Sequence, residues 1–239
     1  MSVAPDVVFA ERRRIREAYK RREAIAGEKY APWQPAEEFM RAGRRRRAME
    51  LLRREGVFPR EGDRCLEIGC GALGWLADVI SWGVSARDLH GIDLDAARVA
   101  SGREKLPGAD LRVGDAASLP WPPASFRLAI ASTVFSSVLD ARVRSAIAEE
   151  IVRVLAPGGA LIFYDLAVGN PKNPDVLPVP RRDLARLFPT LSVRAVSATL
   201  APPLARAVAP RSVALAHLLE AVPFLRTHVL AILVKRRDA

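Results

Sequence analysis

Apolar residues near the amino terminus recur at helical spacing, first at Ile15, Ala18, Tyr19, Ile25 and Ala26, then at Phe39, Met40, Gly43, Ala48, Leu51 and Leu52. Each run predicts an amphipathic helix. Between them, Tyr30-Ala31-Pro32-Trp33-Gln34-Pro35 carries two prolines that disfavour helix, so it reads as a loop whose aromatics either reach a ligand or pack onto the domain. From Arg64 the pattern changes to short apolar runs alternating with helical stretches, the signature of βα units around a parallel sheet. Strands are predicted near Cys65–Ile68, Leu89–Ile92, Asp110–Val113, Leu128–Ala131 and Ala160–Leu166, and helices near Gly74–Trp82, Ala96–Glu104 and Ala141–Leu155. The break Pro157-Gly158-Gly159 is expected to end the last of these helices and turn the chain into a strand. Beyond it the pattern gives a short helix near Arg181–Phe188 and strands near Leu191–Thr199 and Val229–Val234. The stretch Leu200–Thr227 between those strands, rich in Pro, Ala and Leu, predicts helices that cover something.

A length of 239 residues suits one α/β domain with additions. We divide it into a helical extension over 1–60 and an α/β domain over 61–239, with 200–228 as a lid. The apolar runs, such as Val229–Val234, fall short of the roughly 18 to 20 residues that span a bilayer. Met1–Ala10 leads into Glu11-Arg12-Arg13-Arg14 instead of the apolar run of a signal peptide, so a cytoplasmic protein is expected. Cys65 and Cys70, with three histidines elsewhere, make neither a disulfide framework nor a zinc cluster; both read as buried thiols, and no metal is expected. The net charge of +10 permits attraction to phosphates, nucleic acid or an anionic membrane surface without choosing among them. The run Arg44–Arg47 must point in four directions on a helix, which makes a solvated collar and not a binding stripe.

The chemistry concentrates in Leu66-Glu67-Ile68-Gly69-Cys70-Gly71-Ala72-Leu73-Gly74, a buried strand running straight into a helix. Glycines there let the backbone approach a ligand, and the helix start offers free amide donors. Alone, such a turn serves a nicotinamide or flavin dinucleotide equally well. Further on, His90-Gly91-Ile92-Asp93-Leu94-Asp95 ends a second strand with a carboxylate suited to ribose hydroxyls. Val113-Gly114-Asp115-Ala116 ends a third with an aspartate suited to an adenine amino group.

With these motifs the chain resembles the class I S-adenosylmethionine (SAM)-dependent methyltransferases, in particular the small-molecule group, over about Arg64 to Leu166. Leu155-Ala156-Pro157-Gly158-Gly159-Ala160-Leu161 is similar to the turn before that family's fifth strand. The resemblance implies an α/β, Rossmann-like seven-stranded sheet, mostly parallel with an antiparallel last strand and helices on both faces. It implies SAM as cofactor, S-adenosylhomocysteine (SAH) as product, and a cofactor set of Glu67, Gly69, Cys70, Gly71, Asp93, Leu94, Asp115, Ala116 and Thr133. Leu73 departs from the pattern where the family has glycine, and its side chain is expected to narrow the methionine pocket.

Ligands in open α/β sheets bind beyond the carboxyl ends of the strands. That edge receives Thr133 and Phe135 after the fourth strand and Tyr164, Asp165 and Asn170 after the fifth. Phe135, Tyr164 and Asn170, with Tyr19 and Trp33 from the extension, are the candidate acceptor contacts. If a base deprotonates the acceptor, His217, His228 and Asp165 are the candidates. The reading is a methyltransferase acting on an O, N or C nucleophile of a small molecule such as a secondary metabolite, quinone or saccharide precursor. Its rivals are a nucleic-acid methyltransferase, favoured by charge but lacking an Asn/Asp-Pro-Pro-aromatic tetrad or a Pro-Cys nucleophile, and a SAM-binding protein without transferase activity. A nicotinamide oxidoreductase is the most distant alternative. The extension either caps the pocket or pairs two subunits as a homodimer.

Overall fold

The computed structural model describes residues 4–26, 28, 31–169 and 173–236. Its strands are β1 Cys65–Ile68, β2 Leu89–Asp93, β3 Asp110–Val113, β4 Phe126–Ser132, β5 Leu155–Leu166, β6 Leu191–Leu200 and β7 Arg226–Lys235. They form one seven-stranded sheet in the order β3-β2-β1-β4-β5-β7-β6. Neighbours from β3 to β5 pair in parallel, and β7 runs antiparallel to both β5 and β6. Every residue of β1, and Leu128–Ala131 of β4, is buried, as continuous apolar runs covered on both faces should be.

The helices are α1 Pro5–Ala26, α2 Pro35–Arg54, α3 Leu76–Ser81, α4 Ala96–Lys105, α5 Ala141–Val154, α6 Leu184–Leu187, α7 Pro202–Val208 and α8 Val213–Ala221. On one face of the sheet Val143, Ile147, Ile151 and Val154 of α5 pack with Leu66, Phe163 and Phe188. This apolar face starts at a cap: the Asp140 carboxylate accepts from the amides of Arg142 at 2.8 Å and Val143 at 3.3 Å. The other core layer joins Leu51 and Leu52 of α2, Leu76 and Val79 of α3 and Val99 of α4 to Cys65, Cys70 and Ile130. Both cysteines are free and buried.

Two details differ from expectation. The helix before Pro157 ends at Val154, and pairing already begins at Leu155 opposite Phe126. Pro157-Gly158-Gly159 therefore lies inside β5, at a register shift between Phe126 and Leu128. A β-carbon at Gly159 would stand 2.8 Å from the Ala156 carbonyl oxygen, which is why glycine is needed where the strand buckles. The segment Leu200–Thr227 does form helices. Its small residues Ala205, Ala209 and Ala216 pack on Ala36, Phe39 and Met40 of α2, making a third, separate core cluster.

Candidate functional site: a roofed cleft at the carboxyl edge of the sheet

Glycine-loop amides anchor the site. The N–H groups of Gly69 and Cys70 both donate to the Ile92 carbonyl, at 2.8 and 3.1 Å, tying the loop to the end of β2. Asp93 completes the tie, since one carboxylate oxygen accepts from Gly71 N at 2.9 Å and the other from Asp95 N at 2.9 Å. Glu67, fully enclosed, points toward the start of α3 and accepts from Trp75 N at 2.9 Å and Leu76 N at 3.1 Å. Burial pushes its pKa up to about 7 against those hydrogen bonds. A β-carbon at Gly74 would meet that carboxylate at 2.2 Å, so glycine here makes room for the cap. Leu73 holds a φ of +105°, a region that disfavours side chains. Its side chain packs with the second core layer and does not border the cleft, so it does not narrow the pocket as the sequence suggested.

The cleft is a cavity of about 240 Å³. Of the predicted cofactor residues, Gly69, Asp93, Leu94, Asp115, Ala116 and Thr133 border it, and Glu67, Cys70 and Gly71 do not. Thr133 has a φ of +55°, and its N–H donates to the Tyr164 carbonyl at 2.7 Å, which binds the ends of β4 and β5 together. Strain of this kind, held by neighbours, gathers at ligand sites.

The roof is α1. Glu11, Arg12, Ile15, Arg16 and Tyr19 face the cavity, and no residue of 200–228 does among the described residues. Arg12 forms an ion pair with Asp115 and Arg14 donates to the Ser137 carbonyl. Arg16 reaches the Leu94 carbonyl at 3.1 Å, and Glu11 accepts from Leu139 N at 2.5 Å while holding Arg14 at 2.8 Å. Burial pushes the Glu11 carboxyl up, yet its hydrogen bonds with Arg14 and Leu139 outweigh this and leave it below the usual range. Sequence periodicity detected the helix but not these roles. No sequence pattern singles out Arg12, Arg14, Arg16 and Glu11 for them, because their partners lie some eighty to more than one hundred residues away.

The remaining candidates sit elsewhere. Phe135 packs in an aromatic cluster, 5.3 Å from Phe163 and 5.6 Å from Phe188. Tyr164 shares a hydrogen bond of 2.8 Å with Thr199 and stacks on His228 at 5.0 Å. Burial, helped by the nearby Arg44 charge, drops the His228 pKa to about 4. His217 lies on α8 against Phe39 at 4.9 Å. Asp165 is fully buried and accepts from Ser136 N at 3.1 Å and Leu166 N at 2.8 Å, and burial raises its pKa. Trp33 is 72% exposed. Asn170 lies outside the described residues. Among the described residues no three His, Cys, Asp or Glu side chains group as a metal site would require.

Two acidic residues at the ends of β2 and β3 thus border one cavity with the glycine loop, and a carboxylate offers about four lone-pair sites to hydrogen-bond donors. That acceptor set fits the hydroxyls and amino group of a nucleoside. A methyltransferase domain model matches residues 66–163, the stretch carrying all three motifs. Over that stretch, and in its seven-stranded sheet with a reversed β7, the chain is similar to the class I SAM-dependent methyltransferases. A probable SAM-dependent methyltransferase of Mycolicibacterium smegmatis is 37% identical to this chain over 115 residues, 46% of this chain and 42% of that one. A phthiotriol/phenolphthiotriol dimycocerosates methyltransferase of Mycobacterium ulcerans is 34% identical over 114 residues, 46% of this chain and 40% of that one. The chain therefore spans about two-fifths of the length of these curated relatives. Among solved structures, a TehB-like SAM-dependent methyltransferase of Corynebacterium glutamicum has a TM-score of 0.57 at 16% identity, covering 92% of this chain and 97% of that one. The geranyl diphosphate C-methyltransferase of Streptomyces coelicolor has a TM-score of 0.58 at 17% identity, covering 80% and 77%. At these identities the solved structures show a shared fold.

Proposed function

We propose that the protein transfers a methyl group from SAM to an O, N or C nucleophile of a small, partly hydrophobic acceptor, such as a secondary metabolite, quinone or saccharide precursor. One observation carries the reading: Gly69, Asp93, Leu94, Asp115 and Ala116, drawn from three separate strand ends, border a single cavity. Asp93 would accept from the ribose hydroxyls, Asp115 from the adenine amino group, and Leu94 and Ala116 would flank the base. When bound, the sulfonium supplies an electrophilic methyl group. The protein contributes position and dryness, which for so good a leaving group is most of what is needed. Val8, Ile15, Val138, Val143 and Ile147 supply the apolar lining that keeps water out.

None of the three base candidates borders the cavity, so the reading assigns no general base. The named relatives support a small-molecule acceptor, since the Mycobacterium enzyme is named for dimycocerosates and the Streptomyces enzyme for geranyl diphosphate. No described helix is long and apolar enough to cross a membrane.

Titration calorimetry with SAM, SAH and NAD tests the cofactor. SAM and SAH should bind and NAD should not, and Asp93→Ala should weaken SAH binding by about tenfold or more, the loss of a charge-assisted hydrogen bond. Methyl-labelled SAM incubated with a metabolite extract should then yield a labelled small molecule. Failure to bind SAM at millimolar levels refutes the reading. The +10 charge favours nucleic acid as acceptor instead; steeply salt-dependent RNA or DNA binding would support that reading over ours.

A further inference from the structure

The roof over the cleft makes one contact that conflicts with the proposed occupant. Asp115, the carboxylate placed to hold the adenine amino group, is nearly enclosed, with its side chain 9% exposed. One of its oxygens accepts from Ala117 N at 2.9 Å and the other takes both Nε and a terminal nitrogen of Arg12. Arg12 reaches it from α1 across 103 positions of chain. The guanidinium thus stands on the cavity side of the carboxylate, where a nucleobase amino group would have to donate.

We infer that Arg12 is an affinity-setting residue of the nucleoside site: it competes with the adenine amino group for Asp115, so that cofactor entry requires the guanidinium to withdraw. The inference rests on the methyltransferase reading of the cleft. Charge balance supports exchange over permanent pairing. The Arg12 side chain is 37% exposed, so it can withdraw into water at little cost. Asp115 cannot follow, being held by Ala117 N on a strand-end turn. α1 does not depend on this contact, since Arg14, Arg16 and Glu11 bind the loops after β2 and β4 through Ser137, Leu94 and Leu139. Losing the Arg12 pair therefore loosens the roof without removing it.

The test is a double-mutant cycle read by SAH binding in calorimetry, with helix content checked by circular dichroism. Arg12→Ala should bind SAH about twofold to fivefold tighter than wild type, the range for removing a partly exposed competing ion pair. In an Asp115→Asn background, where there is no carboxylate to compete for, Arg12→Ala should change nothing. Salt supplies a second readout: raising NaCl screens the pair and should tighten SAH binding by wild type but not by Arg12→Ala. Unchanged or weaker binding by Arg12→Ala, or an equal gain in both backgrounds, overturns the inference while leaving the cleft a SAM site. Absence of SAH binding by wild type and every variant refutes the reading of the cleft itself, and the inference with it.

Discussion

Glu67 shows how one side chain ties the glycine loop to pH. Its folded pKa of about 7 lies above the ordinary 4.5, so the folded protein keeps a proton that the unfolded chain releases earlier. The associated stability is fully present below about pH 4.5 and is lost as pH rises through about 7. Thermal melts should show wild type losing stability relative to Glu67→Gln between about pH 4.5 and 7. Parallel curves would mean the proton is not held there. Leu73 makes a different case. The resemblance marked it as a departure, but only the backbone reveals that its φ is positive and that its side chain points into the core layer. Leu73→Gly should therefore leave SAH affinity within about twofold of wild type; a large gain would put Leu73 in the pocket. The residues fixed by backbone geometry at strand ends, Gly69, Asp93 and Asp115, were legible in sequence because the motif dictates where they sit. Glu67, in the same motif, turned out to cap α3, since a carboxylate facing free amides satisfies them first.

Elements were legible where an apolar stripe faces the sheet. α5 shows this well, with its start set by Asp140 and its buried face by Val143, Ile147, Ile151 and Val154. Asp140→Ala should cost about 1 kcal/mol and lower the melting temperature by about 2 to 4 °C, with the SAH affinity unchanged. No change in melting temperature would show that the cap adds little to α5. Less legible was which helix covers the cleft. The apolar composition of Leu200–Thr227 suggested a lid, but apolarity says only that a surface is buried, not against what. Its alanines allow close approach, and Phe39 and Met40 of α2 fill that space. The actual roof is charged, and its inner face is read by backbone carbonyls, a carboxylate and an amide. A hydrophobic pattern carries no trace of such partners.

At the scale of the molecule, alternation of short apolar runs and helices announced the parallel sheet, and the resemblance supplied the reversed last strand that the pairing of β7 displays. Strand ends proved longer than the apolar runs, since ladder hydrogen bonds extend through Arg226 and Lys235 whatever their side chains. The two thiols have a practical consequence for this architecture. Cys65 opens β1 and Cys70 sits in the glycine loop; both are buried, and burial pushes the Cys65 pKa up to about 12 and raises that of Cys70 as well. Neither sulfur is a nucleophile while the sheet is closed. A disulfide reagent such as Ellman's therefore meets a silent protein until its centre comes apart, and the rate of colour release becomes a clock for that opening, built in without any engineered label. SAH should slow the clock at the loop sulfur more than at the strand sulfur, which would turn two ordinary cysteines into a map of where the ligand stiffens the chain.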